Sequence, residues 1–205
     1  MKMIFLRKRT VSLLLFAFLM VGTLVNAQTL TIKSSTVTID GETNVNHDFT
    51  TKVTQLSGKM TVANNRPQAL DVEIPVRSII SGEKVMDKKT HETFNAAKNP
   101  MIQFNMTELN SMQVNGNAIA VTVTGNLSMG GATKKVTLKA DGKEVKPGVY
   151  TFEGVLPLKM SDFKMKAPTA MLGTMKTKDQ VTVNYKVTFE GPAVSFDQKE
   201  YTQNK

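Results

Sequence analysis

Apolar and polar side chains alternate along most of the chain. Residues 70–76 read LDVEIPV, residues 119–129 read IAVTVTGNLSM and residues 181–189 read VTVNYKVTF. Successive side chains of a β-strand point to opposite faces, so each segment predicts a strand with one buried and one wet face. Dipeptides such as Asp40-Gly41 and Asn115-Gly116 predict turns between such segments. The pattern therefore predicts an all-β chain of about eight strands joined by short turns.

One stretch departs from the period of two. Between Ser81-Gly82 and Pro100, apolar residues recur at nearly helical spacing from Met86 to Ala97. Asp87 is placed to cap the first turn, and Asn99-Pro100 is placed to end the helix. The alternation then returns at Ile102. The sequence therefore predicts one short helix inserted between two strands.

The first 27 residues have the composition of a signal peptide. Residues 2–9 are rich in lysine and arginine, residues 11–25 are apolar, and Val25-Asn26-Ala27 offers small residues for cleavage. The apolar run is short for a membrane span, and an uncleaved, anchored form is the alternative. No cysteine follows the run, which excludes a bacterial lipoprotein. We expect export to the periplasm, a folded domain over residues 28–191 and a polar tail over residues 192–205.

Charge and residue types narrow the classes of partner. The chain has a formal net charge of +9, part of which lies in the first 27 residues. Beyond residue 27 nearly all cations are lysines, the exceptions being Arg66 and Arg77, and tryptophan is absent. Sequence-specific binding of nucleic acid uses arginine forks and stacking aromatic rings, so we do not expect a nucleic-acid partner. The charge favours solubility and transient contact with anionic membrane surfaces.

The residue inventory argues against an enzyme. Cysteine is absent, so the chain has no thiolate nucleophile, no cysteine metal ligand and no disulfide. Neither histidine lies in a zinc-binding motif, and no G-x-S-x-G elbow or Gly-rich phosphate loop is present. His47, Asp48, Asp87 and His91 could share a metal site across space; the alternative is a hydrogen-bonded polar cluster that ties the helix to the strands. We predict no catalytic residues, no metal and no cofactor.

Four segments together resemble the YceI-like, polyisoprenoid-binding family. They are LDVEIPVRSIISGEKVMDKKTHETFNAAKNPMIQF at 70–104, TGNLSMGGATKKVTLKADG at 124–142, LPLKMSDFKMKAPTAMLGTMKTKDQVTVNYKVTFE at 156–190 and GETNVNHDF at 41–49. In the last of these, Phe49 stands where the family pattern has tryptophan. The resemblance spans residues 29–191 and implies a lipocalin-like, extended antiparallel β-barrel of about eight strands with one short helix insertion. Periodicity alone fits a β-sandwich equally well.

The resemblance also implies a guest, which would be a polyisoprenoid, an isoprenoid quinone or a fatty amide. The chain contains 13 methionines, whose unbranched, polarizable side chains conform to irregular apolar guests, although filling a packed core is the alternative. A barrel of about eight strands is just wide enough to hold one ligand. The residues predicted to contact lipid are Val72, Ile74, Phe104, Leu127, Met129, Phe152, Leu156, Leu158 and Met160, with Phe94, Phe163 and Met171 near the mouth.

The sequence thus favours an exported, non-catalytic carrier that encloses a long apolar lipid chain. Each buried CH₂ group contributes about 0.8 kcal/mol, so such a chain can be held without a polar anchor. The alternative is a barrel with a filled core that acts through its surface, as a partner-binding or stress-response protein. If the protein forms an oligomer, we expect a dimer.

The cleavage site gives a direct test of export. We expect the purified periplasmic protein to begin near Gln28, because the small residues before it satisfy the cleavage pattern. Mass spectrometry of the intact protein and N-terminal sequencing measure this. Retention of Met1 in a membrane fraction would contradict it.

Overall fold

The computed structural model describes residues 27–45, 47–170, 173–197 and 201–202. The predicted signal peptide lies outside these residues except for Ala27. The strands are β1 (Gln28–Thr43), β2 (Asp48–Val53), β3 (Ser57–Ala63), β4 (Arg66–Pro75), β5 (Ile79–Ile80), β6 (Met101–Asn115), β7 (Ala118–Met129), β8 (Ala132–Lys146), β9 (Val149–Lys159), β10 (Thr169–Ala170), β11 (Met175–Glu190) and β12 (Tyr201–Thr202). The helix α1 spans Lys84–Thr93, and 3₁₀ turns span Val76–Ser78 and Met160–Phe163.

Eight of these strands close into an antiparallel barrel. The order around it is β1-β3-β4-β6-β7-β8-β9-β11, and β11 pairs back onto β1. Closure pairs the two outermost strands, β1 and β11, whose edges an open sheet would leave free. The prediction of an all-β, lipocalin-like barrel with one inserted helix is confirmed, and the sandwich is excluded.

The barrel has two distinct ends. At the helix end the β4–β6 ladder finishes at Pro75 and Met101, and α1 follows β5 and contacts it. At the tail end, the β6–β7 pair Asn115 and Ala118 closes a tight turn. In the part of the chain that the structure describes, no helix has the length and apolar character of a membrane span.

The alternation predicted for residues 70–76 sets the register of β4. Val72 pairs with Phe104 of β6, and both face the interior. Glu73 pairs with Gln103, whose amide donates a hydrogen bond of 3.0 Å to the exposed Glu73 carboxylate. A slip of one residue would exchange the two faces of the strand, so the apolar phase fixes this register.

The expected turn at Asp40-Gly41 is wrong, because β1 continues through both residues to Thr43. Gly41 serves packing here. A Cβ atom at this position would overlap the ring of Phe49, which lies opposite it on β2. The absence of a side chain lets the Phe49 ring cover the strand.

The helix is shorter than predicted and is capped differently. It ends at Thr93, and Asn95 then adopts a left-handed conformation with φ of 49°, well before Asn99-Pro100. Asp87 does not cap the helix. Its carboxylate accepts hydrogen bonds from the backbone N–H of Ser81 at 2.6 Å and from the Ser81 hydroxyl at 2.7 Å. These bonds tie α1 to the loop after β5 and hold the pKa of Asp87 below its usual value.

The expectation of a polar tail from residue 192 is wrong for residues 192–197, which we call the tail segment. Val194 and Phe196 are buried, with 9% and 6% of their surfaces exposed. The Tyr150 hydroxyl donates to the Val194 carbonyl at 2.8 Å and accepts from its N–H at 3.1 Å, and the Phe196 ring stacks edge-on against Tyr150 at 5.2 Å. Two alternating apolar residues are too few to give a recognisable strand pattern.

The chain after Glu190 covers a place where two barrel strands part. β4 and β6 pair only from Asp71/Asn105 to Pro75/Met101, and β12 pairs with β6 further along, at Ser111 and Met112. Arg66 of β4 forms an ion pair of 2.9 Å with Asp197 and lies 4.4 Å from the centre of the Tyr201 ring. The C-terminal part of the chain therefore completes the barrel wall at the tail end.

Replacement of Phe196 tests this role. We expect Phe196→Ala to lower the free energy of unfolding by about 3 kcal/mol, because it removes a buried ring from contact with Tyr150. Ser195→Ala is the matched control, since Ser195 is exposed, and it should change stability by less than about 0.5 kcal/mol. Denaturation in urea measures both variants. Equal stability of the two would show that the tail segment is not part of the folded domain.

Candidate ligand-binding cavity

The barrel encloses a cavity of about 260 Å³. Its lining comes from strands on every side of the barrel, from α1 and from the segment after β9. Among the residues that the structure describes, no charged side chain lines it. The polar side chains that do are Thr51, Thr90, Thr93, Thr177 and Tyr185. The cavity is therefore suited to an apolar guest rather than to an ion or a sugar.

Most of the predicted contact residues line this cavity. They are Val72, Ile74, Phe94, Phe104, Leu127, Met129, Phe152, Leu156, Leu158 and Met160. Phe163 does not line it and is instead buried in the core, with 1% of its surface exposed. Met171 lies outside the described residues. Contact of these side chains with a lipid stays a prediction.

Sequence reasoning missed a second group of lining residues on β1 and β11. Examples are Ile32, Ile39, Val181, Val183 and Val187. The signal was present, because residues 181–189 alternate with period two and the apolar phase faces inward. The methionine-rich segment after β9 contributes Met165 in addition to Met160.

Two neighbouring strands of the barrel part at the helix end. β8 and β9 pair only from Asp141/Glu153 to Lys146/Val149. Between residues 132–140 and 154–159, which are all described, no strand pairing forms, and we call this opening the β8–β9 gap. Leu138 of β8 and Leu156 of β9 are half-buried and line the cavity from the two sides of the gap. The cavity therefore extends to this gap.

A tyrosine lies across the gap on the side where the pairing of β8 with β9 begins. Tyr185 of β11 pairs with Gly154 of β9, and its hydroxyl donates a 2.8 Å hydrogen bond to the Lys139 carbonyl of β8. A Cβ atom on residue 154 would overlap both the Tyr185 hydroxyl and the Lys139 carbonyl, so the position requires glycine. Burial, helped by the negative charge of Asp141, raises the pKa of Tyr185 to about 12.

The polar residues considered as a metal site are not brought together. His91 contacts the Ile79 carbonyl through Nε2 at 2.9 Å, and Asp87 binds Ser81, so both tie α1 to β5 and the loop after it. His47 and Asp48 are exposed between β1 and β2. Among the described residues, no group of three or more histidines and carboxylates is arranged to hold a metal ion.

A closed eight-stranded barrel around an apolar cavity defines a lipocalin-like protein. Comparison with protein families narrows this class to one family, because the sequence model of the YceI-like domain matches residues 28–189. The chain belongs to the YceI-like family.

One similar protein among the relatives shows how far the sequence similarity extends. A UPF0312 protein of Pseudomonas aeruginosa (strain LESB58) is 34% identical over 118 residues, which cover 53% of this chain and 59% of that protein. The match thus spans less than two thirds of the relative's length.

Solved structures share the fold. BcnA of Burkholderia cenocepacia is 22% identical, with a TM-score of 0.62 over 75% of this chain and 95% of that one. A polyisoprenoid binding domain from Saccharophagus degradans, implicated in plant cell wall breakdown, is 14% identical, with a TM-score of 0.65 over 82% of this chain and 99% of that one.

The raised pKa of Tyr185 makes its contribution to the free energy of unfolding depend on pH. Below pH 10, the ordinary pKa, wild type should exceed Tyr185→Phe in free energy of unfolding by about 1 kcal/mol, the typical value of one hydrogen bond. Between pH 10 and 12 the unfolded tyrosine loses its proton while the folded one keeps it, so the advantage should shrink. All other ionisable groups are common to both proteins, so the difference isolates Tyr185. A difference independent of pH would contradict the assignment.

Proposed function

We propose that the protein is an exported, non-catalytic carrier that holds a long apolar lipid chain inside its barrel. The observation that carries this proposal is the closed barrel with a cavity of about 260 Å³ whose described lining has no charged side chain. Transfer of a hydrocarbon chain from water into such a space gains about 0.8 kcal/mol for each CH₂ group buried. Binding of this kind grows with chain length and needs few polar contacts.

The guest we propose is a polyisoprenoid, an isoprenoid quinone or a fatty amide. Membership in the YceI-like family supports this class, and one protein of the same fold is described as a polyisoprenoid binding domain. The lining also includes Met60, Met106, Met129, Met160 and Met165. Methionine side chains adapt to a long, flexible guest better than branched or aromatic ones do.

The chemistry of the lining also supports binding rather than catalysis. Among its described residues, the groups able to exchange a proton are threonine hydroxyls and the hydroxyl of Tyr185. Tyr185 is engaged with a backbone carbonyl, and its raised pKa makes it a poor base at neutral pH. Neither kind of group supplies an activated nucleophile.

Export is proposed from the signal-peptide pattern of residues 1–27. A periplasmic carrier would collect its lipid from a membrane and release it elsewhere. The lysine-rich surface supports transient contact with anionic lipid head groups, which attract cations within about 10 Å at ordinary salt concentration. The absence of cysteine means that the exported barrel is stable without disulfides.

Filling the cavity tests the carrier. Leu156→Trp adds volume at a half-buried lining position, so it should reduce the lipid recovered from the purified protein while the barrel stays folded. Organic extraction followed by mass spectrometry measures the lipid, and thermal denaturation measures the fold. Val155→Trp is the matched control, since Val155 is the neighbouring residue and is 56% exposed. It should retain its lipid.

The rival hypothesis, a barrel with a filled core acting through its surface, gives a different result. Overpacking of a filled core should cost about 1–3 kcal/mol of stability. A wild-type protein that carries no lipid, together with a Leu156→Trp variant that unfolds much more readily, would refute the carrier.

A further inference from the structure

A charged residue interrupts the apolar inner face of β8. The residues of this strand that face inward are Ala132, Val136, Leu138 and Ala140, and all four pack against the apolar core. Lys134 lies between the first two on the same phase. Its partner across the β7–β8 ladder is Leu127, which lines the cavity. Paired residues in an antiparallel ladder share a face, so Lys134 projects from the inner face of the barrel wall.

The β8–β9 gap explains how a cation is accommodated there. A lysine facing a closed apolar interior would cost several kcal/mol in lost hydration. Lys134 is nevertheless exposed, because residues 132–140 of β8 have no strand partner on the side of β9. Among the described residues its ammonium group forms no ion pair. A positive charge is thus available to a ligand at the margin of the cavity.

The free edge of β8 adds hydrogen-bonding groups of its own. Backbone N–H groups that would pair with β9 in a regular barrel face the gap instead, since the pairing begins only at Asp141. An anion at this edge would accept from such N–H groups and from the Lys134 ammonium together. A neutral head group would gain less from both.

We propose that Lys134 binds the anionic head group, a phosphate or a carboxylate, of an amphiphilic lipid whose chain occupies the cavity and whose head lies in the β8–β9 gap. This inference rests on the proposed carrier function and narrows its ligand class. The nearest described cation on the strand, Lys135, lies on the outer face, where it pairs with Asn126. The two neighbouring lysines therefore differ in the face they occupy and in little else.

Matched pairs of lipids test the proposal. Protein stripped of lipid is titrated with oleate and oleyl alcohol, and with farnesyl phosphate and farnesol, in competition with a fluorescent apolar probe. For wild type we expect each anion to bind about fivefold more tightly than its alcohol, the ratio that corresponds to a solvent-accessible ion pair. Lys134→Ala should bring the ratio close to one, and Lys134→Glu should invert it. Lys135→Ala should keep the wild-type ratio.

Each outcome has a defined meaning. A preference for only the phosphate or only the carboxylate, lost in Lys134→Ala, supports the proposal and identifies the head group. If wild type binds alcohols and anions equally, or if Lys134→Ala and Lys135→Ala reduce the preference to the same extent, the assignment to Lys134 is refuted while the carrier stands. If none of the four lipids binds, the carrier function itself is refuted. All three variants alter exposed side chains, and melting temperatures confirm that they remain folded.

Discussion

The pairing of β1 with β11 is the interaction on which the rest of the structure depends. It runs from Thr31/Glu190 to Thr43/Thr177 and joins the first barrel strand to the last. Without it the sheet would have two free edges, and its inner face would be open to water. Because the chain has no cysteine, no covalent link can substitute for this contact between distant parts of the sequence. The cavity exists only while these strands stay hydrogen bonded.

The ladders of this barrel are not continuous. Two bulges interrupt the β1–β11 ladder, between Ile32 and Ser34 and between Gly41 and Thr43. Neighbouring strands also separate between β4 and β6 and between β8 and β9. The first opening is covered by the chain after Glu190, which buries Phe196 within the core. At the second opening Leu138 and Leu156 stay half-buried, and the Tyr185 hydroxyl of β11 donates to the Lys139 carbonyl of β8. The chain thus covers the opening at the tail end, whereas the opening at the helix end leaves its lining residues half-buried.

The sequence predicts those features of the architecture that recur along the chain, above all the alternating strands. Apolar and polar residues alternate along the long strands. This alternation predicts Val72, Phe104 and Leu156 on the inner face, where the structure has them. Features that depend on one contact between distant residues leave no such pattern. Val194 and Phe196 form too short an alternation to be noticed, and Gly41 looks like a turn residue until Phe49 is seen to cover it. The β8–β9 gap cannot be predicted from the sequence, since β9 alternates throughout and in residues 132–140 of β8 only Lys134 breaks the apolar phase.

The distribution of polar groups decides what the cavity can distinguish. Its apolar lining responds to the length and bulk of a chain, because dispersion and hydrophobic burial depend on surface and not on functional group. Any discrimination between lipids with equal chains must therefore come from groups at the margin. At the helix end these include the hydroxyls of Thr90 and Thr93 on α1, and beside β8 they include free strand edges and the ammonium of Lys134. A barrel closed on all sides would enclose the head group together with the chain. In the binding mode that we propose, the incomplete ladder between β8 and β9 would supply the selectivity that the lining lacks.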